Sequence, residues 1–94
     1  MDMTNEQINE RIMEIRKNRL TVAYTRDTFA AMELAKEMMA AGFKLEIYRT
    51  MLAYDDAYEC TATTFAHHEI YTHAAPTIEV AICLVWLAWK EEGE

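Results

Sequence analysis

The segment that most constrains the fold is residues 78–89, near the end of this chain of 94 residues. It is apolar apart from Glu79, and Pro76 before it suits the first turn of a helix, where a missing N–H loses no partner. We predict a helix over residues 77–90. Both of its faces are apolar, with Ile78, Ala81, Ile82, Val85 and Trp89 on one side and Val80, Cys83, Leu84, Trp86 and Leu87 on the other. Such a helix must be buried on more than one side, so the rest of the chain has to fold around it.

The outer side of this helix predicts self-association. A chain of this size buries only about 60–65% of the surface that its unfolded form exposes, which leaves little material to cover both faces. We therefore expect a homo-oligomer, a dimer or higher, in which a second copy meets the helix across a twofold axis. The predicted interface residues are Cys83, Trp86, Leu87 and Trp89. In the alternative, the N-terminal helix covers this face and no partner is needed.

An N-terminal helix is predicted over residues 5–18. Thr4 and Gln7 have the spacing of a capping box, in which each residue satisfies a backbone N–H beside the other. Apolar residues then recur at helical spacing, namely Ile8, Ile12 and Ile15. The first element is therefore an amphipathic helix with a narrow apolar stripe.

A second helix is predicted over residues 28–41. Thr25 and Asp27 offer a hydroxyl and a carboxylate as caps for its first turn. Gly42 ends it, because glycine readily adopts the left-handed conformation that terminates helices. We expect one apolar face of this helix to lie in the core, comprising Phe29, Met32, Ala35 and Met39.

After Gly42 the apolar period changes from that of a helix to that of a strand. Residues 43–48, 57–65 and 68–73 alternate apolar and polar side chains or are rich in β-branched and aromatic residues. The aspartate pair at 55–56 is predicted to mark the first turn. Short links between successive strands favour antiparallel pairing. A further short extended segment is expected over residues 20–24.

Together these elements predict a single α+β domain over residues 1–94. It consists of a three-stranded antiparallel sheet layered with helices, in the order α-(β)-α-β-β-β-α. The N-terminal helix, residues 5–18, precedes a core that covers residues 20–90.

The net charge of −7 is concentrated in the second half of the chain. Residues 1–50 hold eight acidic and eight basic side chains, whereas residues 51–94 hold eight acidic ones and a single base, Lys90. A protein that reads the nucleic-acid backbone needs a cationic face, so general nucleic-acid binding is disfavoured. The carboxylates are also too sparse for a mimic of DNA.

The sequence predicts a cytoplasmic protein without a membrane segment. The first twenty residues mix four acids with four bases and contain no apolar run of the kind found in secretory signals. The apolar stretch at 78–89 is well short of the roughly 20 residues that span a bilayer. Cys60 and Cys83 lack CxxC spacing and lie in apolar segments, so we expect two buried free thiols.

Catalytic and metal-binding groups are sparse. His67, His68 and His73, with Glu69, are the only cluster of metal ligands, but strand alternation turns His68 away from the other two histidines. Cys60 with His73 is the only nucleophile pair, and the chain has no serine and no glycine-rich phosphate loop. We therefore predict a protein that is not an enzyme and holds neither metal nor cofactor. A small metal-dependent or thiol-dependent enzyme is the less favoured alternative.

The start of the second helix is the predicted ligand site. Tyr24, Arg26 and Thr28 place a ring, a guanidinium and a hydroxyl beside free backbone amides, a combination that holds anionic or nucleotide-like groups. Further aromatic and cationic candidates lie on the strands, namely Arg49, Tyr71 and His73. Capping or packing explains several of these residues equally well.

Three stretches of the chain resemble the phage ABA-sandwich domain family, which comprises small proteins of bacteriophages and prophages. The matching residues are Tyr24-Thr25-Arg26-Asp27 with Ala30, Ala31 and Leu34, then Gly42-Phe43, then Ala75-Pro76 with Ala81-Ile82-Cys83-Leu84. The resemblance covers roughly residues 20–90. It implies a phage origin and an α/β/α layered fold, and it carries no known activity to particular positions.

From this resemblance and the lack of catalytic groups we expect an accessory binding protein with a counter-defence role. In one version, a homo-oligomer sequesters a small nucleotide signal. In the other, the apolar last helix and the acidic C-terminal half bind a host protein, as an inhibitor or adaptor of host defence.

Overall fold

The computed structural model describes residues 3–52, 55–64 and 69–92. In this part of the chain the elements are helices α1 (Asn5–Arg16) and α2 (Thr28–Ala40), strands β1 (Lys44–Leu52), β2 (Asp55–Thr64) and β3 (Glu69–Ala75), and helix α3 (Ile78–Glu92). The α+β class and the three-stranded antiparallel sheet are as predicted. The predicted short strand at 20–24 is wrong, because these residues form an irregular link with no strand partner.

Local chemistry sets the helix ends. The Thr4 hydroxyl accepts from the Gln7 amide at 3.2 Å, and the Gln7 side chain accepts from the Thr4 amide at 2.8 Å, so the capping box is confirmed. Asp27 caps α2 by accepting from the amide of Ala30 at 3.2 Å. Gly42 follows α2 with a φ of 101°, a conformation that side chains disfavour.

The capping of α3 differs from the expectation. The Thr77 hydroxyl accepts from the Val80 amide at 3.2 Å, which makes Thr77 the capping residue. Pro76 therefore lies just outside the helix rather than in its first turn.

The sheet has the order β1-β2-β3, so among the described residues each outer strand pairs on one side only. Its register places Ile47 beside Cys60 and Cys60 beside His73, and the three share one face. Cys60 is fully buried on the central strand, whereas its two neighbours are exposed at the margins. Asp55 and Asp56 belong to β2 and pair with β1, so the prediction that they form the turn is wrong.

The helices cover one face of the sheet. α2 and α3 pack on the face that carries Cys60 and Ala62, while Tyr48, Ile70 and Thr72 are exposed on the opposite face. The described residues thus form two layers rather than the α/β/α layering that the resemblance implies.

Helix α3 is the centre of the core. It contacts β2 and β3 on one side and both α1 and α2 on the others. Trp86 is 0% exposed and Leu87 is 4% exposed within one chain, and Cys83 is also fully buried. The premise of the predicted interface is therefore wrong, because the chain itself buries Cys83, Trp86 and Leu87. Trp89 is half-buried and packs edge-on against Phe43, with 5.4 Å between ring centroids.

A carboxylate on α2 makes the burial of Trp86 possible. The indole Nε1 of Trp86 donates to Glu37 at 2.6 Å, and Lys90 Nζ lies 3.4 Å from the other oxygen of the same carboxylate. Lys90 also lies 4.1 Å from the ring centroid of Trp89. The polar edge of the largest core side chain is therefore satisfied between α2 and α3.

The predicted core face of α2 is wrong at three of four positions. Ala35 is buried, but Phe29 is 87% exposed, and Met32 and Met39 are also exposed. The buried face instead comprises Ala31, Leu34, Ala35 and Met38. The buried face of the helix is thus rotated relative to the prediction, toward Ala31, Leu34 and Met38.

Candidate functional site

Tyr24, the first predicted ligand residue, is part of the core. It is 3% exposed, and its hydroxyl accepts from Asn18 Nδ2 at 2.7 Å. The Arg16 guanidinium lies 5.7 Å from the centre of its ring. Tyr24 therefore attaches the link before α2 to the end of α1, and its ring is not available to a ligand.

The predicted anion site at the start of α2 already contains a carboxylate. The Thr28 hydroxyl donates to Glu79 Oε2 at 2.9 Å, which joins the first turns of α2 and α3. A negative charge is favoured beside helix N-termini, and Glu79 supplies it from within the chain. Arg26 is exposed nearby and forms no ion pair with any residue that the structure describes.

The candidates on the sheet do not form one group, because Arg49 on β1 is separated by β2 from Tyr71 and His73, which share one face of β3. Arg49 forms a surface ion pair with Asp56 at 3.0 Å. Across the sheet, Arg49 lies opposite Tyr58, which in turn lies opposite Ala75 of β3. Tyr71 lies four residues before Ala75 along β3, a distance of roughly 13 Å at the rise per residue of a strand. Its ring packs against Phe43, with 5.9 Å between centroids. The six predicted ligand residues therefore do not form one site.

The two cysteines are poorly suited to catalysis. Burial raises the pKa of the Cys60 thiol to about 11. Burial, with the charge of Glu79 as a second cause, raises the pKa of Cys83 to about 12. Both side chains are therefore protonated at neutral pH, when a nucleophile needs the thiolate.

The histidine cluster of the sequence lies only partly within the described residues. Within residues 3–52, 55–64 and 69–92, no group of three histidine, cysteine or acidic side chains is placed to hold a metal ion. His67 and His68 lie outside the described residues. His73 is exposed on β3, beside the buried Cys60.

The best-formed candidate site is a groove of about 570 Å³ between the start of α1, the end of β3 and α3. Most of its lining residues are apolar, among them Val80, Leu84 and Leu87 of α3 and Ile8 of α1. Leu84 and Ala88 are only half-buried, so the groove is where the cover of α3 is incomplete. Its volume lies in the range of about 300–1,000 Å³ that is usual for binding sites.

The rim of the groove is acidic. Glu91 and Glu92 lie at its α3 end, with Asn5 and His73 as the other polar residues. Glu91 accepts from Arg11 Nε at 2.6 Å, which neutralises its charge and fixes α1 against α3. Glu92 forms no ion pair with any described residue, so its carboxylate is available to a basic group of a partner.

Two of the site residues predicted from the sequence line this groove, His73 as a ligand candidate and Leu87 as an interface candidate. The sequence signal for the groove is the helical spacing of Leu84, Ala88 and Glu91. These residues lie on one side of the last helix, and their side chains change from apolar to acidic toward its end. The sequence pattern favours a second copy on that side, because the cover supplied by α1 cannot be judged from composition.

No helix in the described part of the chain is long and apolar enough to cross a membrane. Comparisons with protein families, with curated proteins and with solved structures find no match for this chain.

Proposed function

We propose that this chain is a non-enzymatic binding protein that holds a segment of a partner protein in the groove beside α3. The observation that carries the proposal is the combination of an apolar lining, at Leu84 and Ala88, with the unpaired carboxylate of Glu92 at the rim. A partner segment with apolar side chains and a neighbouring lysine or arginine would complement both features.

A nucleotide is less well supported than a protein segment. Phosphate groups are held by arginine, lysine or free backbone amides, whereas the charged residues that line the groove are Glu91 and Glu92. At the start of α2, where the sequence predicted a nucleotide site, Thr28 is bonded to Glu79. The expected sequestration of a nucleotide signal stays a prediction without a site that favours it.

The class of partner follows from the resemblance alone. If the chain belongs with the phage proteins that it resembles, the partner is a protein of the infected cell, and a counter-defence role becomes the working hypothesis. The groove itself supports only the chemistry of the segment.

The test compares two substitutions of the full chain. Ala88→Glu places a longer, charged side chain in the groove, whereas Met39→Glu introduces the same charged residue on the exposed side of α2. Each purified variant is used to capture proteins from a host lysate, and circular dichroism checks that both are folded. We expect capture of a specific protein by the wild type and by Met39→Glu, and its loss with Ala88→Glu.

A parallel thermal-shift series with cyclic and linear nucleotides tests the competing hypothesis. Stabilisation by a nucleotide, together with capture that is unaffected by Ala88→Glu, would contradict the proposal. Equal loss of capture in both variants would also count against the groove.

A further inference from the structure

Strand β3 has a free edge next to the groove. Its pairing with β2 begins where Glu69 lies opposite Thr64 and ends where Ala75 lies opposite Tyr58. No other described strand lies on its far side. Every second residue of β3 therefore directs its backbone N–H and C=O away from the sheet. These groups are positioned to pair with another extended chain.

The groove reaches this edge. Its wall includes four consecutive residues, 73 to 76. Side chains alternate between the two faces of a strand, so a cavity confined to one face would contact only alternate residues. Contact with His73, Ala74 and Ala75 in succession brings the backbone at the end of β3 into the wall, which favours an approach along the edge of the strand.

We infer that the partner segment is extended and adds to β3 as a fourth strand. This inference rests on the proposed function and specifies its chemistry. Side chains at alternate positions enter the groove against Val80, Leu84 and Leu87, while the backbone pairs with β3. A basic side chain at one end of the segment reaches Glu92.

An extended segment fits the surroundings on both of its sides. The side chains that do not enter the groove extend the open face of the sheet beside Ile70 and Thr72, where both residues are exposed. Strand addition of this kind takes its affinity from main-chain hydrogen bonds and its specificity from pockets for alternate side chains. The acidic rim adds charge complementarity for a basic segment.

The test uses a synthetic peptide, acetyl-Lys-Val-Thr-Val-Thr-Val-Lys-amide, and the full-length protein. Two further peptides carry backbone N-methyl groups, one on its valines and the other on its threonines. In a paired strand the N–H groups of one set face β3 and those of the other face solvent. We expect one methylated peptide to lose affinity by about tenfold or more, because several hydrogen bonds are lost together, while the other binds like the parent.

Hydrogen exchange provides the second measurement. With the parent peptide bound, alternate amides of β3 should exchange more slowly, and the amides of β1 should be unchanged. Equal binding of all three peptides, binding without protection of β3, or no binding at millimolar concentration would overturn strand addition.

The outcomes separate the two proposals. If Ala88→Glu abolishes partner capture while the peptide fails to protect β3, the groove binds a partner in another conformation and only strand addition is wrong. If Ala88→Glu changes neither partner capture nor peptide binding, the proposed function fails as well.

Discussion

At the scale of single residues, Thr25 is an unsatisfied polar group in the core. Its side chain is 2% exposed, and Oγ1 has no hydrogen-bond partner among the residues described. Its backbone amide, by contrast, donates to Asn9 Oδ1 at 3.0 Å and fixes the link before α2 to α1. The backbone hydrogen bond therefore holds the residue in the core, while its hydroxyl loses contact with water and gains no hydrogen bond in exchange.

Replacing Thr25 with Val should therefore stabilise the protein. The methyl group has nearly the shape of the hydroxyl and removes the unsatisfied oxygen, so we expect the free energy of unfolding in urea to rise by about 1 kcal/mol. The same substitution at Thr28 serves as the control, because it breaks the bond to Glu79 and should give no gain. A loss of stability in Thr25→Val would mean that the hydroxyl has a partner.

The cysteines give a prediction of pH dependence. The pKa values of about 11 for Cys60 and about 12 for Cys83 exceed the ordinary value of 9.0. Because the folded-state pKa is raised, the two buried thiols contribute their full stability below pH 9.0. This contribution is lost as the thiols ionise, while the pH rises through 11 and 12. The free energy of unfolding should therefore fall more steeply above pH 9.0 in the wild type than in a Cys60→Ala, Cys83→Ala double variant.

Thiol labelling checks the same environment. The native protein at neutral pH should resist Ellman's reagent, whereas the unfolded protein should react at both cysteines. Rapid labelling of the native protein would show that Cys60 or Cys83 is accessible.

At the scale of elements, one carboxylate makes two polar contacts between α2 and α3. Glu37 on α2 accepts from the indole of Trp86 and lies beside Lys90, both on α3. Exposed pairs on the same helix, such as Lys36 and Glu33 at 3.7 Å, contribute little because water screens them.

Glu37→Ala should lower the free energy of unfolding by about 2 kcal/mol, because it leaves a buried indole N–H without an acceptor. Glu33→Ala, on the exposed side of α2, should change it by less than about 0.5 kcal/mol. Adding Trp86→Phe to Glu37→Ala separates the hydrogen bond from packing, and a double-mutant cycle measured by urea denaturation gives the coupling. Equal effects of the two single alanine variants would contradict the assigned role of Glu37.

At the scale of the whole molecule, the burial of α3 within one chain decides how self-association should be tested. A homo-oligomer stays a prediction, but Trp86 and Leu87 no longer provide a reason for it. Exposed apolar residues are found instead on α2 and β1, including Phe29, Met39 and Met51.

Trp86→Ala distinguishes a core residue from an interface residue. We expect a loss of about 3–5 kcal/mol in the free energy of unfolding, because the substitution leaves a cavity among α2, α3 and the sheet. The unfolding midpoint of the Trp86→Ala variant should depend on protein concentration no more than the midpoint of the wild type does. A variant that stays as stable as the wild type but changes its sedimentation coefficient would restore Trp86 to an interface.

The sequence by itself determined the features that depend on neighbours along the chain. The capping box of Thr4 and Gln7, the Asp27 cap and the left-handed Gly42 each involve groups within four residues of one another. The period of two after Gly42, with a third segment rich in β-branched and aromatic residues, likewise predicted three strands, and the short links predicted antiparallel pairing. Local bonding and side-chain alternation act before any tertiary contact forms, so a sequence pattern suffices to predict them.

Only the tertiary structure decided which apolar surfaces are covered and by what. Phe29 and Trp86 are both large aromatic residues on apolar helices, yet one is 87% exposed and the other 0% exposed. Their burial depends on the rotation of α2 and on the position of α1, which no local pattern specifies. The groove has the same origin, because Ile8, Ala75 and Leu84 come from three elements that meet only when the core is packed.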